Sequence, residues 1–345
     1  MTNISIAGYL VRIGDTLESV ARQTGISAEA LKRYHNTYCS LDELIGHNLE
    51  NVRKILIPPP EKIKELKENN SVISKHEMRP SRYLFKNFYA ENYEVSEYFE
   101  KPGTEDLIIS YNVSMTVYEF KNQGFIVKTE SSGFKKNHEV PDDKISMLSL
   151  SCMKTFYPVA FIVPAQGSIF GLYDYQEMIR KLGEKSEDPE NFFAGEISQD
   201  YINKFRDYFN NEKLLLEKFR SAMLYQFLFP KMEWFHKNKP WEEKLYIVQH
   251  SFLVNCLMEA EYHDESDDYI QTKLHGNTKD NCSLQELLMG RRFKQTPEEF
   301  VSGEIICEYQ TDKKTRQLLK AIIRIVLKNK GKVFSTYKLI LHRKN

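Results

Sequence analysis

Leu318-Leu319-Lys320-Ala321-Ile322-Ile323-Arg324-Ile325-Val326-Leu327-Lys328 is the stretch that decides the fold. Successive side chains of an extended chain point to opposite sides, so Leu319, Ala321, Ile323, Ile325 and Leu327 share one face. Lys320, Arg324 and Lys328 share the other, with Ile322 and Val326 between them. A strand apolar on one side and basic on the other is half-buried, as in an antiparallel sheet with one wet face. Asn329-Lys330-Gly331 follows as a hairpin turn, and 332–343 returns as a strand. With 304–310 before it, the chain from 303 to 345 reads as strands.

The same period recurs upstream. Ile109, Tyr111, Val113, Met115 and Val117 line one face of a strand from Leu107 to Phe120. Gln123-Gly124 turns the chain, and Phe125 to Thr129 returns it. Lys144 to Met153 also alternates, with Ile145, Met147, Ser149 and Ser151 opposite Ser146, Leu148, Leu150 and Cys152, and is read as a strand. Val159 to Val163 and Gly167 to Tyr173 add two more. From 174 to 240 the period changes: Tyr175, Met178, Ile179 and Leu182, then Ile202, Phe205 and Phe209, then Leu215, Phe219, Met223 and Leu224 recur at helical spacing. Residues 245–275 have no clear period, and Ser283 caps a short helix to Met289. The expected class is α+β, an antiparallel sheet split by a helical insertion, with a strand-rich part 83–173, a helical insert 174–240, a mixed part 241–302 and C-terminal strands 303–345.

The chain has 345 residues, 48 Lys plus Arg and 48 Asp plus Glu, and 41% hydrophobic residues. That balance excludes a disordered chain. The longest apolar run, Val159 to Val163, is far short of the ~20 residues of a membrane helix. No basic and then apolar leader opens the sequence. Five widely spaced cysteines without a C-x-x-C suit a reducing compartment. A cytoplasmic location, with delivery by a non-classical secretion apparatus as a further route, is the expectation.

The first sixty residues form a separate pattern. Tyr9 to Ile13 reads as a strand, Gly14-Asp15-Thr16 as a turn and helix cap, and Leu17 to Gln23 as a helix closed by Gly25. Ser27 caps a second helix from Ala28 to about Tyr34. Lys54 to Ile57 is a strand stopped by Pro58-Pro59-Pro60. This strand-helix-helix-strand order resembles the LysM module, through Tyr9, Val11, Gly14-Asp15-Thr16-Leu17, Ala21, Gly25-Ile26-Ser27, Leu31, Asn36 and Leu56-Ile57-Pro58. The resemblance covers 8–60. A charged linker, 61–82, separates it from the α+β domain at 83–345. It implies binding of β-1,4-linked N-acetylglucosamine polymers, peptidoglycan above all, in a groove walled by Gly14, Asp15, Thr16 and Leu17 on one side and Asn36 on the other, with Ile26 as an apolar contact. The chain departs from the family between Asn36 and Ile55, where the usual asparagine-rich link and Pro-Gly-Gln turn are absent. LysM modules without an export signal also occur in bacterial contractile injection and type VI secretion systems, where they dock components.

Catalytic motifs are missing. No G-x-S-x-G, P-loop, G-x-G-x-x-G or H-E-x-x-H occurs. Glu196, Asp200 and Asp207 are candidates for a glycosidase pair, and Cys152 or Cys256 with His250 for a thiol nucleophile. His263 with Asp264, Glu265, Asp267 and Asp268 reads as a solvated acidic loop rather than a metal site. No cofactor or metal is expected. Residues 311–345 hold eleven Lys or Arg against Asp312 alone, so Lys320, Arg324, Lys328 and Lys338 are a candidate patch for an anionic partner, with edge protection as the plainer role. Neutral net charge argues against a nucleic-acid protein. Tyr225, Phe227, Phe229, Trp234, Phe235 and Trp241 around Pro230 read as core, or as an anchor for a partner. The expected function is non-catalytic: a LysM-containing binding or assembly protein of a secretion apparatus, an effector adaptor among the options, whose partners are a glycan and a secretion-apparatus or effector protein. The alternatives are a peptidoglycan-directed enzyme or toxin, and a sheet whose apolar pocket carries a lipid or a hydrophobic effector segment.

Overall fold

The structure is a computed structural model and describes residues 8–12, 15–40, 43–46, 49, 52–64, 79–120, 124–185, 195–294, 297 and 299–344. The chain divides into two compact units, Met1–Met78 and Arg79–Asn345. Gly14, part of the turn at 121–123 and linker residues 65–78 lie outside the described residues.

In the first unit β1 (Gly8–Leu10) pairs antiparallel with β2 (Lys54–Leu56), and α1 (Leu17–Thr24) and α2 (Ala28–Tyr38) lie between them in sequence. Both helices start where short polar side chains satisfy their free N–H groups. Thr16 Oγ1 accepts from Ser19 N and Ser19 Oγ accepts from Thr16 N, each at 3.1 Å. Ser27 accepts from Ala30 N at 3.1 Å. Val20, Ala21, Ile26, Leu31, Ile45 and Ile55 fill the core. His35 is fully buried there and ties the helix to the closing strand. Its Nδ1 accepts from Leu56 N at 3.1 Å, so its Nε2 carries the proton and donates to the Glu43 carbonyl at 2.7 Å.

Among its described residues the second unit holds one antiparallel sheet of eleven strands. Its first meander is β3 (Asn92–Glu100), β4 (Leu107–Glu119), β5 (Gly124–Lys136), β6 (Val159–Pro164) and β7 (Gly171–Leu172). The second is β8 (Trp241–Leu245), β9 (Val254–His263), β10 (Tyr269–Thr278), β11 (Val301–Asp312), β12 (Leu318–Asn329) and β13 (Lys332–Arg343). The spatial order, β7-β6-β5-β4-β3-β13-β12-β11-β10-β9-β8, joins the two at β3 and β13. β7 and β8 are therefore opposite edges, and the helices between them run across one face of the whole sheet. These are α4 (Tyr175–Lys185), α5 (Glu196–Phe209), α6 (Glu212–Ser221), α7 (Met223–Leu228) and a 3-10 helix, Met232–His236; α3 (Lys144–Phe156) lies between β5 and β6 in sequence, and α8 (Leu284–Met289) between β10 and β11. The mixed α+β class and the helical insertion expected from the sequence are present.

The Lys330-Gly331 turn joining β12 to β13 has φ of 51° and 72°, the left-handed pair that two-residue hairpins need. Gly276 serves close approach instead: a Cβ there would lie 2.2 Å from the Met258 sulfur. The core lies between the sheet and the helices. Phe161 of β6 meets Phe219, Tyr225 and Phe229 edge-on at 5.2, 5.1 and 5.6 Å, a favoured aromatic geometry. Of the aromatic cluster around Pro230, Tyr225, Phe227, Phe229, Trp234 and Phe235 are buried in this core and Trp241 is half-buried, which is the core role.

Lys144 to Met153 is not a strand but most of α3. Asp143 caps it by accepting from Ser146 N at 2.9 Å, and Leu148, Cys152, Thr155 and Phe156 form its buried stripe at helical spacing. The apparent alternation arose from serines, which suit either period. Within 167–173 only Gly171–Leu172 is strand. The unassigned 245–275 region supplies β9 and most of β10.

Candidate functional site

The core-facing positions of β3 are Tyr93, Val95, Glu97 and Phe99. Tyr93 and Val95 are fully buried, whereas Glu97 and Phe99 are only partly covered. The helical layer thus seals one end of the central strands and leaves the other open to a cleft. The chain breaks at Ala222, whose extended backbone separates α6 from α7, and Ala222 and Met223 form part of the cleft wall.

The cleft has two lobes. One, of about 510 Å³, lies between Ile109, Tyr111 and Phe134 of the sheet and Ile145, Leu150 and Met153 of α3. The other, of about 390 Å³, lies between Phe99, Tyr337 and Leu327 of the sheet and Ile247 and Val248 after β8. Leu107, Met223 and Gln249 line both. Each lobe falls in the range of small-molecule sites, and both are mainly apolar. Lys135, Lys136 and the exposed Ile145 stand at the mouth of the larger lobe, and Lys101, Thr104 and Glu105 at that of the smaller.

Glu97 lies in the floor, where sheet register puts it opposite Ile109 of β4 and Leu339 of β13. Its Oε1 accepts from the Tyr111 hydroxyl and its Oε2 from the Tyr337 hydroxyl, both at 2.6 Å. Burial pushes its carboxyl above the ordinary value, and the two tyrosine hydrogen bonds offset this only in part. Both phenols are pushed well above their usual value, by burial first and then by the Glu97 charge. Phe134 stacks on Tyr111 with ring centres 4.9 Å apart, and Phe99 meets Tyr337 edge-on at 5.2 Å. The sequence reading passed over Glu97. The available signal was a carboxylate on the inward phase of Tyr93, Val95 and Phe99.

The expected glycan wall is placed as follows. Asp15 accepts from Tyr9 Oη at 2.9 Å and from Arg12 N at 2.8 Å. Asn36 accepts from Ile45 N at 2.8 Å and donates to Ile45 O at 3.1 Å, so its amide holds the segment before β2. Ile26 is in the core at 6% exposure. Thr16 is exposed and Leu17 half-buried at the start of α1.

Lys320, Arg324, Lys328 and Lys338 share the outer face of the sheet, opposite the cleft. Arg324 stands directly across from Lys338. Acidic side chains border the stripe: Lys328 pairs with Glu304 at 3.3 Å, while Lys338 lies over the Tyr98 ring at 5.4 Å.

The catalytic candidates are scattered. Glu196, Asp200 and Asp207 are exposed along α5, and Asp200 pairs with Lys204 at 2.7 Å. Cys152 and Cys256 are buried, and burial raises both thiols, Cys256 to about 12, which disfavours the nucleophilic thiolate. His250 Nδ1 contacts Ser221 Oγ at 3.1 Å, a pair the sequence did not suggest. Burial, aided by the Lys218 charge, lowers His250 to about 4, and its Nε2 faces the Gln249 amide rather than a carboxylate. Ser221 itself donates to the Lys218 carbonyl. Among the described residues no acid orients His250 as the third member of a hydrolase triad would. His263 to Asp268 closes the β9–β10 hairpin, and among the described residues no three His, Cys, Asp or Glu gather to hold a metal. Among the described residues no helix is long and apolar enough to cross a membrane.

No protein-family model and no curated protein matches the chain. Among solved structures it is similar to lipovitellin, described for its lipid–protein interactions, at 9% identity over 74% of this chain and 24% of that one, with a TM-score of 0.37. It is also similar to a LolA superfamily protein from Nitrosomonas europaea, at 8% identity over 80% of this chain and 93% of that one, with a TM-score of 0.21. The chain spans about a quarter of the lipovitellin chain it matches. Scores of this size do not establish a common fold.

Proposed function

We propose that the second unit is a non-catalytic carrier of a hydrophobic ligand, held between the sheet and the helical layer. The observation that carries this reading is the two-lobed apolar cleft at the uncovered end of the central strands. An aliphatic chain laid in either lobe leaves water for apolar walls, at roughly 0.8 kcal/mol per buried CH₂. The solvent-exposed carboxylates of α5, the inert thiols and the Ser221–His250 pair without an orienting acid among the described residues support binding over turnover. The test uses the full chain and the uncharged fluorophore Nile red, whose emission shifts to the blue in an apolar site. Saturable binding at one site per chain, displaced by dodecanol and lost in Ile109→Trp or Met153→Trp, which fill the larger lobe from opposite walls, is expected. Absence of saturable binding, or binding indifferent to both variants, refutes the carrier reading.

A second reading concerns the first unit, because its strand-helix-helix-strand order with β1 paired to β2 matches the LysM resemblance. There the unit docks the carrier on an N-acetylglucosamine polymer. The exposed Thr16 and the half-buried Leu17 at the start of α1 form the contact surface, and Asp15 and Asn36 keep the loops in place. Full-length protein that sediments with purified peptidoglycan sacculi, less so as Thr16→Arg, supports it. Failure to sediment refutes it.

A further inference from the structure

Resting on the carrier reading, we propose that the cleft selects an amphiphile with a positively charged ammonium head, seated on Glu97 between the Phe99–Tyr337 and Tyr111–Phe134 ring pairs. Three observations converge on this chemistry. First, Glu97 lies in the floor of a mainly apolar cleft, and among the described residues no cation pairs with it. An ionised carboxylate in such a place is costly until an opposite charge arrives. Second, both of its oxygens already accept a tyrosine hydroxyl. Those donors favour the anion over the neutral acid, and each oxygen keeps a lone pair for a ligand. The group is thus built to receive positive charge rather than a second carboxylate. Third, Tyr111 and Tyr337 hold aromatic rings on both flanks of the carboxylate, with Phe134 and Phe99 packed against them. Aromatic faces attract ammonium groups, most strongly where water is excluded.

The lobes fit the rest of such a molecule. Glu97 lines the larger lobe and its partner Tyr337 the smaller, so the polar centre sits where the two approach. A head held there sends its chain along Ile109, Leu150 and Met153. Lys135 and Lys136 stand exposed at the mouth, where water and salt screen their repulsion.

The experiment compares dodecyltrimethylammonium, dodecanol and dodecanoate, each below its micelle concentration, by calorimetric titration into the unaltered full chain and into Glu97→Gln. The ammonium compound is expected to bind about tenfold tighter than dodecanol, with dodecanoate weakest. Glu97→Gln is expected to erase that tenfold preference, and a cooperative thermal melt with an unaltered far-ultraviolet spectrum shows that the variant is folded. Equal binding of the ammonium compound and dodecanol by the unaltered chain overturns the inference and spares the carrier reading, as does a preference that survives in Glu97→Gln. Binding of none of the three overturns both.

Discussion

Glu243 offers a quantitative test of how the edge of the sheet is secured. It lies on the core side of the edge strand β8 at 6% exposure. Its Oε1 accepts from Lys231 Nζ at 2.7 Å, and its Oε2 from the indole of Trp234 at 2.8 Å and of Trp241 at 3.3 Å. Replacing it by alanine does unequal harm to these donors. Lys231 has a side chain 44% exposed and regains water. Trp234, at 4% exposure, does not. A stranded buried donor costs ~1–3 kcal/mol and a lost bond to a charged group ~1.5–3, so Glu243→Ala is expected to cost about 2–4 kcal/mol. For a unit of this size each kcal/mol moves Tm by about 2 °C, which gives a drop of about 4–8 °C at pH 7 in scanning calorimetry. Glu243→Gln keeps an acceptor and falls between. Burial alone would raise the Glu243 carboxyl, but the hydrogen bonds and charge of Lys231 and the indole of Trp234 bring it below the ordinary value. A carboxyl lowered by folding stabilises above its unfolded pKa of about 4.3 and loses that contribution as pH falls through the folded value. The gap between the original chain and Glu243→Ala is therefore expected to narrow below about pH 4. A gap under about 1 °C at pH 7, or one undiminished at pH 3, refutes the reasoning.

Glu97 has the opposite sign. Its folded carboxyl holds a proton to higher pH than an unfolded one, so its contribution to stability falls as pH rises from about 4 through the folded value. Glu97→Gln is expected to raise Tm at pH 7 relative to the original chain and to lose that advantage near pH 4, checked by thermal melts at both. Gly331→Ala places a Cβ at φ 72° in the β12–β13 turn and is expected to cost about 1–2 kcal/mol in urea unfolding. Asn36→Ala removes both bonds to Ile45 and is expected to destabilise the first unit by about 1–3 kcal/mol, read as faster amide exchange in α2 and β2.

Much of the sheet was legible because a strand with one buried face announces its period. β4, β12 and β13 have that form, and their spans were close to those found. β9 and β10 lacked it: their core faces include Ala260, Thr272 and Gly276, while Leu257 and Tyr269 face outward. α3 was hidden by serines, and only the Asp143 cap marked its start. The cleft was less legible still. Its walls draw on residues from Glu97 to Tyr337, and no local pattern shows that two tyrosines from flanking strands will meet one carboxylate. An inward glutamate looks, in sequence, like an outward one that has slipped phase.

The pairing of β3 with β13 has a consequence for how the protein is made. Eight residue pairs, from Tyr93 opposite Arg343 to Glu100 opposite Thr336, join strands more than 230 positions apart. A ribosome delivers β3 well before β13, so each nascent chain holds the first meander with a bare inner edge until β13 has emerged. Unpaired edges recruit other chains, and contacts this distant in sequence form slowly. Loss of β13 would open the sheet through its middle, with the unmated flanks of β3 and β12 left exposed. Synthesis of this protein should therefore depend on a holdase chaperone far more than a meander of the same length ending at its own edge.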